Sequence, residues 1–171
     1  ITRTGQGSGY TTLPSLAITA PTTAGGVQAT ATPAITILSY TISAGGSGYT
    51  VGDTVTLTGG TFTTAWSGTV ATVSAGVITS VTTTTANSYT ALPSNPVSVT
   101  GGTGTSATFN LSNFTYIGHT ITNAGSGYIE QPTVSFSGGG GSGAAAYASV
   151  GSTASVRGMT ANFDFYTDVG R

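Results

Sequence analysis

Apart from its tyrosines, this 171-residue chain carries eight side chains able to act as acid, base or charged partner: Arg3, Asp53, His119, Glu130, Arg157, Asp164, Asp168 and Arg171. General acid–base catalysis needs two such groups held together. Only Asp164 and Asp168 are close in sequence, and with Asn162 they make the sole candidate oxygen-ligand set for a hard cation. Their spacing matches no EF-hand loop, so they read as solvated carboxylates at a strand end. His119 sits beside Gly118 in an alternating run, and no serine lies in a Gly-x-Ser-x-Gly elbow between a strand and a helix, so His119 reads as structural. The glycine runs Gly101 to Gly104 and Gly138 to Gly143 lack the lysine and following helix of a phosphate loop and read as turns. These residues predict no enzyme and no cofactor.

The elements that must position these residues repeat. Tyr10, Tyr49, Tyr89 and Tyr128 lie 39, 40 and 39 residues apart. Three of them close a Gly-Ser-Gly-Tyr tetrad with Gly9, Gly48 and Gly127. Four residues on come Pro14, Asp53, Pro93 and Pro132, followed by an alternating apolar pair: Leu16 and Ile18, Val55 and Leu57, Val97 and Val99, Val134 and Phe136. Asn95-Pro96 reads as an insertion in the third unit that pushes its apolar pair to Val97 and Val99. Glycine clusters follow at Gly25-Gly26, Gly59-Gly60, Gly101-Gly102 and Gly138 to Gly141, where positive φ costs glycine little. Two further alternating runs then lead to the next tyrosine, exemplified by Val27 to Thr32 and Ile35 to Ile42 in the first unit. Short period-two runs rich in Thr, Val and Ile between Gly and Pro are half-buried strands.

The sequence therefore predicts an all-β protein of tandem units of about 39 residues, packed as antiparallel β-sandwich or prism-like modules, with a β-solenoid as the alternative. The units run over residues 1–39, 40–80, 81–119 and 120–158, with a divergent segment at 159–171. That segment, with Ser155 to Phe163 reading as a last strand, suits a cap or a docking piece. Ile1 aligns with Tyr40, so the first unit reads as starting partway through, as in a fragment or processed product.

Thirty-seven threonines, 20 serines and 27 glycines stand beside seven charged residues, and there is neither lysine nor cysteine. Uncharged strand edges associate unless neighbouring repeats or other subunits cover them, and the expected partner is the chain itself, as a homo-oligomer, trimer or filament. A net charge of −1 offers no basic field to nucleic acid, and no apolar run approaches the roughly 20 residues of a membrane span. Disulfides and thiolate metal sites are absent for want of cysteine. The repeated tyrosines read as packing over their turns. Trp66 and Tyr147, in the variable segment after the glycine clusters, are candidate ligand contacts, because sugars stack on exposed rings; core or subunit-interface packing is the other reading of Trp66.

Residues 122 to 147, Thr-Asn-Ala-Gly-Ser-Gly-Tyr-Ile-Glu-Gln-Pro-Thr-Val-Ser-Phe-Ser followed by Gly-Gly-Gly-Gly-Ser-Gly-Ala-Ala-Ala-Tyr with its first glycine at 138, resemble the Gly-Ser-Gly-Tyr repeats of tailed-phage virion structural proteins. The likeness is to tail-fibre and appendage proteins of aquatic and cyanobacterial phages. It covers roughly residues 1 to 150 with uneven quality: the second unit lacks the proline, and the third has Ala86-Asn87-Ser88-Tyr89 in place of the tetrad. It implies a non-enzymatic, extracellular virion component that assembles with itself and with other virion proteins, with host glycans as candidate ligands. Similar repeats in large bacterial surface proteins imply the alternative of a secreted or surface filament or adhesin. Fold-level likeness does not itself assign a role.

Overall fold

The computed structural model describes residues 1–84 and 86–150. Every regular element among them is a strand: β1 (Thr2–Ser8), β2 (Ser15–Ile18), β3 (Thr30–Ser47), β4 (Thr54–Leu57), β5 (Thr61–Thr64), β6 (Ser67–Ser74), β7 (Val77–Thr83), β8 (Ser88–Ala91), β9 (Val97–Thr100), β10 (Thr105–Asn123), β11 (Val134–Ser137) and β12 (Ser142–Tyr147). The ladders between them are antiparallel. That pairing replaces the parallel rungs the solenoid alternative requires. The all-β, antiparallel expectation holds.

The expected pair of runs before each tyrosine is corrected in two units. In the first and third they fuse into single strands, β3 of 18 residues and β10 of 19. Among the described residues the run is broken in the second unit, between β6 and β7, where Ala75 and Gly76 have φ of 50° and 77°. Two consecutive positive φ values make the turn that suits a tight hairpin. Ala75 lies 26 residues after its unit's tyrosine, and the counterparts are Thr36 and Thr115. Positive φ is costly for such β-branched residues, so those chains run straight on. The boundaries at 39/40 and 119/120 thus fall inside β3 and β10, and successive units share a strand.

β3 and β10 pair along almost their whole lengths, from Ser47↔Thr105 to Thr30↔Asn123, with Thr36 opposite Thr115 near the middle. They lie at the centre of an eight-stranded sheet in the order β5-β8-β3-β10-β9-β4-β6-β7. The sheet curls into a half-barrel that brings its last strand, β7, back against β3. Two ribbons, β1-β12 and β2-β11, complete the described structure. Most ladders join strands from different units.

Alternation along the two long strands sends Ile35, Ile37, Ala107, Phe109 and Leu111 inward, and Asn113, at φ 55°, shifts the phase so that Phe114 and Tyr116 also face the core. Trp66 closes that core, edge-on to Tyr40 and Phe109 with ring centroids 5.0 and 5.8 Å apart. Burying a large apolar side chain of this kind contributes about 1.5–3 kcal/mol, so these few aromatic rings dominate the packing.

Candidate functional site

The repeated Gly-Ser-Gly-Tyr turns form clasps between units. In each, both glycines hold positive φ: Gly7 65° and Gly9 74°, Gly46 64° and Gly48 78°, Gly125 70° and Gly127 76°. The first glycine lies against the facing strand so closely that a Cβ would come within 2.5 Å of Ser142 O at Gly7, 2.2 Å of Thr105 O at Gly46 and 2.5 Å of Val27 O at Gly125. The tyrosine side chain folds back over that glycine in each case: the Tyr10 hydroxyl oxygen lies 2.9 Å, and ring carbons of Tyr49 and Tyr128 lie 2.8 and 2.9 Å, from the same imagined Cβ. Tyr10 and Tyr49 also lie on the receiving glycines Gly141 and Gly104, where a Cβ would meet their Cγ atoms at 2.6 and 2.4 Å. Only glycine combines the required φ with this approach.

The clasps are reciprocal. The first unit grips the fourth through Tyr10 and Gly141, and the fourth grips the first through Tyr128, whose hydroxyl accepts from Ala29 N at 2.9 Å and donates to Thr19 O at 3.0 Å. The second unit grips the third through Tyr49 and Gly104. The third, without the tetrad, grips the second through Tyr89, whose hydroxyl accepts from Trp66 N at 2.9 Å. Contacts in the two pairs correspond at an offset of 79 residues. Tyr10 bridges Phe114 while Tyr89 bridges Ile35. Gly139 packs on Thr12 O and Pro14 N, while Gly60 packs on Ala91 O and Pro93 N.

Two asparagines of the third unit went unremarked as site residues in the sequence. Asn87, the buried polar side chain among the described residues, accepts from Ile37 N at 2.7 Å and donates to Ile37 O at 3.3 Å. Asn95 makes the same double bond to Leu111, at 2.9 Å each way. Each side-chain amide stands in for a missing strand partner, which buried backbone groups require. Asn87 replaces the tetrad serine and Asn95 belongs to the insertion, so departure from the repeat was the available signal.

Asp53, where the other units have Pro14, Pro93 and Pro132, is a second kind of clasp. Its carboxylate accepts from Thr50 N at 2.9 Å and Thr103 N at 3.0 Å, and from the Thr103 and Thr50 hydroxyls. The Thr50 amide first, then the Thr103 amide and hydroxyl, bring its pKa down to about 2, as donors to the charged form must. His119 joins β10 to the residue that precedes β1. Its Nδ1 accepts from the Tyr116 hydroxyl at 2.6 Å and its Nε2–H donates to Ile1 O at 3.1 Å, the tautomer being set by these partners. Burial pushes the Tyr116 hydroxyl pKa up, opposed by the Arg3 charge. Burial likewise raises Tyr89, against the bond from the Trp66 amide.

The expectation that Trp66 contacts a ligand is corrected: it is 1 % exposed, its faces taken by core packing. Tyr147 is exposed, on the outward side of β12. No group of three metal-ligating side chains occurs among the described residues, and Asn162, Asp164 and Asp168 lie outside them. Comparison with protein-family models, with curated proteins and with solved structures gives no match.

Proposed function

We propose that this chain is a non-enzymatic structural protein of a phage virion, a fibre, appendage or filament component that assembles with further copies of itself and with other virion proteins. In this reading the four units of about 39 residues pair, first with fourth and second with third, as antiparallel prism-like modules. The observation that carries the proposal is the reciprocal clasp. The motif that resembles the repeats of appendage proteins holds unit to unit, with tyrosine on glycine, and does not shape a cleft for a substrate. A surface of threonine and serine with seven charges suits contact with like surfaces, since no strong charge repels a second copy.

Immunogold electron microscopy with an antibody raised against residues 122 to 150 tests this on the native source. Gold on phage tails or capsids is the expected result and shows which appendage holds the protein. Gold on cell surfaces or free filaments, with bare virions, moves it to a bacterial surface or secreted filament protein.

A further inference from the structure

The two edges of the eight-stranded sheet differ. β7, at one end of the order, is brought back against β3, whereas β5, at the other, packs on β8. All four residues of β5, Thr61 to Thr64, are exposed, and none is charged or a proline. An edge strand presents a row of unpaired N–H and C=O groups that pairs with another strand unless charge, proline or cover blocks it. From Thr54 to Ile129 the chain carries no Asp, Glu, Lys or Arg.

The row of side chains that ends on this edge is incomplete as well. Tyr116, Ile35, Tyr89 and Phe62 stand opposite one another on β10, β3, β8 and β5 in turn, so they share one face of the sheet. The first three are fully buried, and the inner end of the row is closed by Phe136, whose ring meets Tyr116 edge-on at 4.7 Å. At the outer end, the Phe62 ring has Tyr89 on one side, with centroids 5.5 Å apart, and remains 44 % exposed. The core runs out to the sheet edge and stops at an aromatic ring left half open.

We propose that β5 is an interface with a second copy of this chain, whose own β5 pairs with it antiparallel about a twofold axis at Phe62. Such an axis sets Phe62 opposite Phe62 of the partner subunit and joins the two eight-stranded sheets edge to edge. The buried row then continues from one copy into the next, with an aromatic pair at the seam, which contributes beyond the area it buries. A second copy suits this edge for two reasons. A twofold interface needs a self-complementary patch, and Thr61-Phe62-Thr63 reads the same in both directions. The uncharged stretch around it offers no salt bridge to a charged partner and does not repel its own copy. β5 slips register against β8 on either side of Phe62, which keeps the seam short and the pairing weak and concentration-dependent. The inference rests on the self-assembly proposed above, and its failure is separable: a chain that does not pair through β5 can still be held on an appendage by other virion proteins, which the gold label reports.

Sedimentation of the purified full chain over a concentration series is expected to show a monomer–dimer equilibrium. Phe62→Lys sets two ammonium groups opposite each other in place of the aromatic pair and is expected to weaken it by about tenfold or more, with the far-UV circular dichroism spectrum unchanged. A monomer at every concentration overturns the proposal, as does association that Phe62→Lys leaves unaltered. Independently of that variant's folding, Phe62→Cys reports on the axis, since the chain has no cysteine of its own. Directly opposite residues have Cβ atoms about 4.5–5.5 Å apart, a small shift from disulfide geometry. Ile129, 73 % exposed and outside every strand, supplies the control Ile129→Cys. On mild oxidation Phe62→Cys is expected to form a disulfide-linked dimer about tenfold faster or more than the control, because pairing holds the two thiols together. Equal rates overturn the proposal, and a thiol at position 62 that stays unreactive in a monomer overturns it in favour of cover by the chain itself.

Discussion

Tyr49 and Tyr128 occupy the same place in the two unit pairs, yet Tyr49 is 2 % exposed and Tyr128 only half-buried. Both turns have the same glycine φ angles and the same fold-back of the ring. The difference lies in what covers them: a hairpin made by Ala75-Gly76 packs onto Tyr49, and no described strand packs onto Tyr128. Shared local geometry therefore does not produce shared burial. A repeated motif sets the turn, and the surroundings decide how much water it excludes.

The largest effect that would sharpen this comparison is Trp66→Ala. It empties the core of the second and third units and should cost about 3–5 kcal/mol, read by urea denaturation. Tyr128→Ala should cost clearly less; equal losses would break the contrast. Next come Gly46→Ala and Gly125→Ala. Each places a Cβ against a backbone oxygen at positive φ, and each should cost about 2–3 kcal/mol, visible as a lower Tm. If Gly125→Ala is neutral, the open pair is not clasped as described. Asn87→Ala leaves the Ile37 backbone groups unpaired and should cost about 1–2 kcal/mol, with faster exchange of the Ile37 amide as the local signature.

The smallest effect is acid titration of Asp53, which has no equivalent in the first and fourth units, where Pro14 and Pro132 take its place. Its folded pKa, about 2, lies below the ordinary value of about 3.9. The stabilisation is thus complete above pH of about 4 and is lost as pH falls towards 2. Exchange at the Thr103 amide should quicken across that window and not in an Asp53→Asn variant.

Period-two alternation with glycine breaks made the antiparallel β class legible, because alternation and turn chemistry are local. The tyrosine spacing also located all three tetrad turns. Which unit grips which was not legible: Val55 and Leu57 alternate just as Val134 and Phe136 do, and partner choice depends on where β3 and β10 meet. The sequence leaves Trp66 open to ligand contact or to core packing, because it follows a variable glycine cluster. Its burial is decided by the Tyr40 and Phe109 rings, distant in sequence. Asp53 looked like a missing proline until Thr103 was seen to donate to it. The fused strands were missed because nothing in the alternation itself separates one long strand from two short ones; only Ala75-Gly76 does.

The β1-β12 ribbon has a mechanical corollary. Thr2 and Tyr147 are partners at one end of that ladder, with Ser8 and Ser142 at the other. A tether pulling on Ile1 and Val150 in opposite directions would load the ribbon at its Thr2 end, so its bonds would break rung by rung, as in a zipper. The β3-β10 ladder, its long axis inside the sheet, would feel little of that force until the ribbon had opened. A filament of this protein would resist tension best if the pull passed from flank to flank between copies and not along the chain from end to end.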